Sequence, residues 1–249
     1  MTHPLWLIGA GLAAGAMNAL AGGGSFVSLP AMIAAGVPSV QANASSTVAL
    51  FPGGLASAWA YRDGLGSVGA VSLRPLILVT LLGGMTGAGL LLVTPTKTFD
   101  VVLPWLLLVA FIALGFGRSL GEWLRRRCRI RPWTVLTIQF GLGVYGGYFG
   151  GAVGIMMMAV WGLLDSRDLK SLNAPRTLLV STANLMAVAI FAIAHAVHWP
   201  AAILMLLAAT VGGYAGAQIG RRTPARVVRK GTLVLTAAIT LAFFLRAYR

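Results

Sequence analysis

The sequence predicts an all-α integral membrane protein built as two inverted repeats, each holding one broken or re-entrant helical element and three transmembrane helices. Three observations carry this. Of 249 residues, 58% are apolar and only 10% charged, with a mean hydropathy of +0.86. An ordinary soluble domain is about 25% charged, so most of this chain has no water-facing surface to build. Apolar runs at 76–93, 101–117, 201–219 and 233–245, with their flanks, approach the ~20 residues that cross hydrocarbon as a helix. Finally, a glycine-broken apolar segment occurs twice.

The first copy is Ala21-Gly22-Gly23-Gly24-Ser25-Phe26-Val27, followed by Gln41-Ala42-Asn43-Ala44-Ser45-Ser46-Thr47. The second is Gly150-Gly151-Ala152-Val153-Gly154, followed by Ser171-Leu172-Asn173-Ala174-Pro175-Arg176-Thr177. At one interval of 130 residues Gly24 meets Gly154, Asn43 meets Asn173, Ala44 meets Ala174 and Thr47 meets Thr177. Paired interruptions in corresponding halves point to the binding site of a transporter.

In order, residues 5–20 form an apolar helix that Gly22 to Gly24 interrupts, and 26–35 a second piece ended by the turn Gly36-Val37-Pro38. Residues 40–61 make the next span, closed by Arg62-Asp63-Gly64. Then come 70–93, the turn Thr94-Pro95-Thr96-Lys97, and 101–117, completing a first repeat at 1–117. A basic linker, 118–131, carries Arg118, Arg125, Arg126, Arg127, Arg129 and Arg131. The second repeat, 132–249, restates the order: 133–149 leads into the break, 155–164 returns, 165–168 turns, and 175–197, 201–219 and 228–245 span. Pro175 suits a first helical turn, where its missing N–H costs nothing. Met1-Thr2-His3-Pro4 lacks the Lys or Arg of a signal n-region and is expected to be retained.

The net charge of +14 sits between apolar spans, so it reads as topology signal and contact for anionic lipid at the cytoplasmic face, with no nucleic-acid partner. If 118–131 is cytoplasmic, the basic loop from Arg221 to Lys230 should be too. Between them lie the second broken segment and two clean spans; two spans return the chain to its starting face, so the broken segment must also enter and leave on one side, either as a re-entrant hairpin or as two short helices. Arg62, Arg74, Arg167 and Lys170 then fall inside, Lys97, Arg246 and Arg249 outside, and both termini are periplasmic. The halves come out oppositely oriented.

In hydrocarbon, broken helices survive only where protein or water lines the gap. The N–H groups after each break open a half-helix whose dipole supplies roughly half a positive charge, so it accepts anions without a basic side chain. Two such ends from opposite faces would converge near the midplane on a small anion. Gly22, Gly23, Gly24, Ser25 and Gly154 supply those starts. Asn43, Ser46, Thr47, Asn173 and Thr177 add amides and hydroxyls, and Arg176 can fork two donors onto an oxyanion. The plainer reading makes Asn43 and Asn173 helix caps and Arg176 a topology charge.

All five acids, Asp63, Asp100, Glu122, Asp165 and Asp168, fall in loops or at span ends, leaving no buried carboxylate of the kind proton-coupled carriers use. His195 and His198 lie at the outer end of a span and read as interfacial. Anion efflux from a negative cytoplasm is favoured by about 2.3 kcal/mol per charge per 100 mV and needs no coupling ion. Met156-Met157-Met158 lacks accompanying thiolates or histidines and reads as packing. The single Cys128 cannot make a disulfide or a metal cluster. No cofactor or metal is expected, nor an enzyme, since no nucleophile–base set lies in the spans. The tryptophans, Trp161 among them, sit near predicted span ends as an aromatic belt.

At Ala21 to Ser25 leading to Leu29-Pro30, at Ala42 to Thr47, at Gly146 to Gly154 and at Asn173 to Thr177, the chain resembles the sulfite exporter TauE/SafE family, also called TSUP transporters. The resemblance covers the whole chain. It implies a bacterial inner-membrane exporter of sulfur oxyanions or organosulfonates such as sulfite or sulfoacetate. Two departures stand out: Gly151-Ala152-Val153-Gly154 replaces a triple glycine, and Pro175-Arg176 replaces the small hydroxylic pair Ser45-Ser46, so Arg176 would take over charge recognition. A channel-like anion facilitator and a protein binding anionic lipid head groups are the alternatives, and a homodimer stays open.

Overall fold

The computed structural model describes residues 4–69, 71–125, 131–150, 153–164 and 171–248. Among these it is helical almost throughout. The first half contains α1 (Pro4–Ala21), α2 (Ser25–Ala34), α3 (Ser39–Ala60), α4 (Leu73–Val93) and α5 (Thr96–Arg125). The second contains α6 (Pro132–Phe149), α7 (Val153–Leu164), α8 (Asn173–Ile193), α9 (Trp199–Arg222) and α10 (Ala225–Tyr248). Six helices among the described residues are long and apolar enough to cross a membrane: α1, α4, α5, α8, α9 and α10. This is a multi-pass membrane protein. The expected turn at 165–168 and residues 126–130 of the basic stretch lie outside the described residues. Helix α5 runs on to Arg125, so the stretch expected as linker from residue 118 begins as helix.

Each broken element is a long helix followed by a short one. At 1.5 Å per residue, the 18 residues of α1 reach about 27 Å, whereas the 10 residues of α2 cover about 15 Å. A β-carbon on Gly24 would lie 2.6 Å from the Ala14 carbonyl oxygen and 2.8 Å from Asn18 Cβ, so α2 doubles back along α1. Gly22 and Gly150 make the two breaks, with φ of 73° and 67°, the left-handed region where glycine is favoured. Their N–H groups close the last turn of α1 and α6 on the carbonyls of Asn18 (2.8 Å) and Gly146 (2.6 Å). Pro4 and Pro132, Gly22 and Gly150, and Ser25 and Val153 are all 128 residues apart. The interval of 130 holds only after the breaks, at Asn43 and Asn173. The equivalence of Gly24 with Gly154 is therefore corrected: Gly154 is the second residue of α7 and stands where Phe26 stands in α2.

The first helix of each half lies along the fourth helix of the other. Gly83, Gly84 and Gly87 of α4 meet α6 at Phe140, Gly143, Val144 and Gly147. Gly212 and Gly216 of α9 meet α1 at Leu12 and Ala16. A β-carbon on Gly83, Gly87, Gly212 or Gly216 would overlap backbone of the facing helix, and one on Gly84 would overlap Ala183 of α8. In lipid, where apolar surface gains nothing by hiding from tails, such close backbone approach is what holds helices together. Both pairs run parallel. The motif Gly-Gly-x-x-Gly recurs at 83–87 and 212–216. Helices α3 and α8 cross between these pairs, with Gly54 against Ser181, and α5 lies on α10 through a Trp105–Tyr248 hydrogen bond of 2.9 Å.

Polar side chains are spent internally. Thr47, Thr80, Thr177, Thr182 and Thr240 donate to carbonyls four residues back, as hydroxyls in lipid must. Trp6, Trp59, Trp105, Trp133 and Trp199 are exposed, as a belt requires. Among the described tryptophan side chains Trp161 is the exception. It is fully buried and donates its indole N–H to Gln139 (3.1 Å), whose amide donates to Thr80 (2.8 Å), latching α7 to α6 and α4.

Candidate functional site

The two breaks meet. Gly22 and Ser25 from the first and Gly150, Val153 and Gly154 from the second line one cavity of about 70 Å³. Helix α3 closes it with Thr47, Leu50, Gly54 and Ser57, helix α8 with Arg176, Thr177, Val180 and Asn184, and α1 with Asn18. A water needs roughly 10–15 Å³ of such space, so the cavity takes a few heavy atoms, the size of a small oxyanion.

Arg176 dominates its chemistry. It sits in the first turn of α8 and its side chain reaches across the gap. One guanidinium nitrogen lies 3.5 Å from where a β-carbon on Gly22 would be and 3.6 Å from the same point on Gly154. The absence of those β-carbons is what admits the guanidinium between the breaks. Arg176 makes no ion pair among the described residues, where the one ion pair is the exposed Arg62–Asp63 at 3.9 Å. Its Nε is buried without a hydrogen-bond partner, and so is Oδ1 of Asn184. Among the described residues, no Asp or Glu lines the cavity. A buried cation left unpaired is costly, and the remaining donors of the site offer it no counter-charge. An anion would.

The positions expected from sequence divide into two groups. Gly22, Ser25, Thr47, Gly154, Arg176 and Thr177 line the cavity; Gly23, Gly24, Asn43, Ser46 and Asn173 do not. Asn43 is almost fully buried and donates its amide to the Tyr148 carbonyl (2.9 Å), satisfying the last turn of α6 across the two halves. Ser46 bonds Ser28 of α2, and Ser45 accepts the His198 N–H (2.8 Å) at the approach to α9. Gly23 packs on Met17 and Ile155, and Gly24 on α1. Asn173 begins α8 half-buried, its carbonyl accepting from Thr177. The Thr47 and Thr177 hydroxyl protons are committed to carbonyls, so these oxygens face the cavity as acceptors. The Phe26 and Val27 N–H groups close on the carbonyls of Gly23 and Gly24, so Arg176, the Ser25 N–H, the first N–H groups of α7 and the Asn18 and Asn184 amides are among the donors that remain.

Asn18, Ser57, Gly150 and Asn184 were not anticipated. A signal existed: the chain has four asparagines, of which Asn18, Asn43 and Asn173 lie near a break or a helix start and Asn184 lies within the apolar span of α8. Asparagine inside an apolar span is expensive enough to imply a partner or a role.

A second cavity of about 1250 Å³ opens beside the first between α1, α3, α9 and α10. Asn18, Leu50, Ser57, Arg176 and Thr177 belong to both, so Arg176 stands at the junction of a small chamber and a large vestibule. Tyr61, Tyr214, Thr223 and Arg229 line the vestibule and not the small chamber. No group of three or more His, Cys, Asp or Glu able to hold a metal occurs among the described residues.

A family model described as sulfite exporter TauE/SafE matches residues 7–243. The chain is 26% identical over 239 residues to a probable membrane transporter protein, ORF9, of Sinorhizobium sp, covering 95% of this chain and 90% of that one. It is 26% identical over 242 residues to a probable membrane transporter protein of Haemophilus influenzae, covering 95% and 90%. It is 29% identical over 229 residues to the probable membrane transporter protein YfcA of Escherichia coli K12, covering 92% and 82%. No solved structure matches the chain.

Proposed function

Because the chain belongs to the sulfite exporter TauE/SafE family, we propose that this membrane transporter exports a small sulfur-containing anion, such as sulfite, sulfoacetate or a related organosulfonate, across the bacterial inner membrane. The anion sits between the two glycine breaks, with its oxygens on the Arg176 guanidinium, on the Ser25 N–H at the start of α2 and on the first N–H groups of α7. The observation that carries this is the position of Arg176: an unpaired guanidinium between Gly22 and Gly154, in an oxyanion-sized cavity with no carboxylate among its described lining residues. The family description supports the choice of sulfur chemistry.

On this reading the halves are an inverted repeat with both termini periplasmic, and the vestibule faces the cytoplasm, where the basic loop from Arg221 to Lys230 would be. The doubling back of α2 on α1 and the crossed pairs α1–α9 and α6–α4 support that relation.

Proteoliposomes loaded with sulfite, or with sulfoacetate, should lose the anion faster with the protein than without, and the flux should saturate. Flux that never saturates would reassign the protein as a channel-like facilitator. A wild-type protein that moves neither anion would overturn the substrate class.

A further inference from the structure

Among the described residues that line the vestibule, the charged side chains are Arg176 and Arg229, with no Asp or Glu. Arg176 belongs to both cavities, whereas Arg229 lines the larger alone, so Arg229 sits in the outer compartment. Its charge is held in place. Nη2 donates to the carbonyls of Gly115 (3.0 Å) and Leu114 (3.4 Å) on α5, across the seam between α5 and α10. That nitrogen supplies two of the five N–H donors of a guanidinium, which leaves three for a ligand. The surrounding wall is mostly alanine, glycine and leucine, and the Thr223 and Thr232 hydroxyls are spent on helix carbonyls. Weakly polarisable walls around charges of one sign concentrate the field along the cleft and raise the local concentration of the opposite ion.

We propose that Arg229 is an outer anion-binding station, drawing the substrate oxyanion into the vestibule ahead of Arg176. The proposal rests on the Arg176 reading and extends it to the way in. A residue acting this way sets how much anion reaches the inner site and leaves the translocation step alone. Its loss therefore raises the half-saturation concentration without lowering the maximal rate. The effect is electrostatic and long-range, so salt should erase it: the Debye length falls from about 30 Å at 0.01 M to about 10 Å at 0.1 M.

The experiment measures sulfite flux in proteoliposomes for the wild type, Arg229→Gln, Arg229→Lys and Arg176→Gln, at low and high salt, with the thermal midpoint of each purified protein. Arg229→Gln should raise the half-saturation concentration about 3- to 10-fold at low salt, with the maximal rate within two-fold and the difference shrinking at high salt. Arg229→Lys keeps the charge while losing the planar fork to the two carbonyls, and should behave as the wild type. If Arg229→Lys is as impaired as Arg229→Gln and both melt early, Arg229 is a tie between α5 and α10 and the proposal falls. It falls equally if Arg229→Gln saturates as the wild type does while Arg176→Gln does not, an outcome that leaves the inner site standing. If Arg176→Gln transports normally, or the wild type shows no saturable sulfite flux, the inner site fails and the outer one with it.

Discussion

Helices α3 and α8 enter the cavity with the same Asn and Thr 130 residues apart, yet their polar residues do different work. On α3, Asn43 satisfies the end of α6, Ser45 holds the approach to α9 and Ser46 holds α2. On α8, the position matching Ser46 is Arg176, which faces the gap unpaired, and the position matching Gly54 is Asn184, which lines it. One helix start fastens the breaks and the other presents chemistry to what lies between them. A duplicated motif thus need not mean a duplicated role. The same asymmetry extends to the short helices: α7 is latched by Trp161, Gln139 and Thr80, while α2 leans on Ser28–Ser46 and on close glycine packing.

Gly150 and Gly22 offer the strongest way to break this comparison. Both have left-handed φ, but a β-carbon on Gly150 would overlap the Thr47 hydroxyl, whereas one on Gly22 meets only the Arg176 guanidinium at 3.5 Å. Gly22→Ala should cost about 1–2 kcal/mol from backbone strain alone. Gly150→Ala adds about 1–3 kcal/mol of overpacking to the same strain. Thermal unfolding in detergent should therefore show a clearly larger drop for Gly150→Ala; equal drops would mean the two breaks are interchangeable. Next in size, Asn43→Ala strands the part-buried Tyr148 carbonyl and should lose about 1–3 kcal/mol. Asn173→Ala, whose side chain makes no comparable bond, should stay within about 0.5 kcal/mol. A reversed order would move the fastening role to α8.

The smallest effect sharpens the picture at the turns. Helices α2 and α8 both end with the reciprocal bonds of a Schellman closure, Val37 N–H to Met32 and Gly36 N–H to Ile33, and Ala196 N–H to Phe191 and His195 N–H to Ala192. Gly36 occupies the left-handed position in one and His195, with φ 54°, in the other. Replacing His195 by glycine should raise stability by up to about 1 kcal/mol, read as a higher melting midpoint. No gain would mean the imidazole earns its place through a contact of its own.

The fold was readable because apolar run length and glycine breaks are local properties. The membrane class, the two broken elements and the ten helical pieces all followed from them. The site was readable only where a residue's chemistry outweighs its surroundings, as for Arg176, a guanidinium one turn into an apolar helix. Asn43 was expected to face the anion, but its partner Tyr148 is 105 positions away, and no local pattern announces that bond. Trp161 read as a belt residue for the same reason, since its partner Gln139 sits on another helix. The pair of Gly-Gly-x-x-Gly seams was present in the sequence and went unread because glycine is common throughout the chain. The shift from an interval of 128 to one of 130, which falls between Val153 and Asn173, hid the match of Gly22 with Gly150.

The central claim is that Arg176 holds the anion between the breaks, and equilibrium binding of sulfite to purified protein tests it most directly. A charge-assisted bond to an oxyanion is worth about 1.5–3 kcal/mol, so Arg176→Gln should weaken binding about 10- to 100-fold. Asn173→Ala, outside the cavity, should bind as the wild type does. Wild-type affinity in Arg176→Gln would contradict the account.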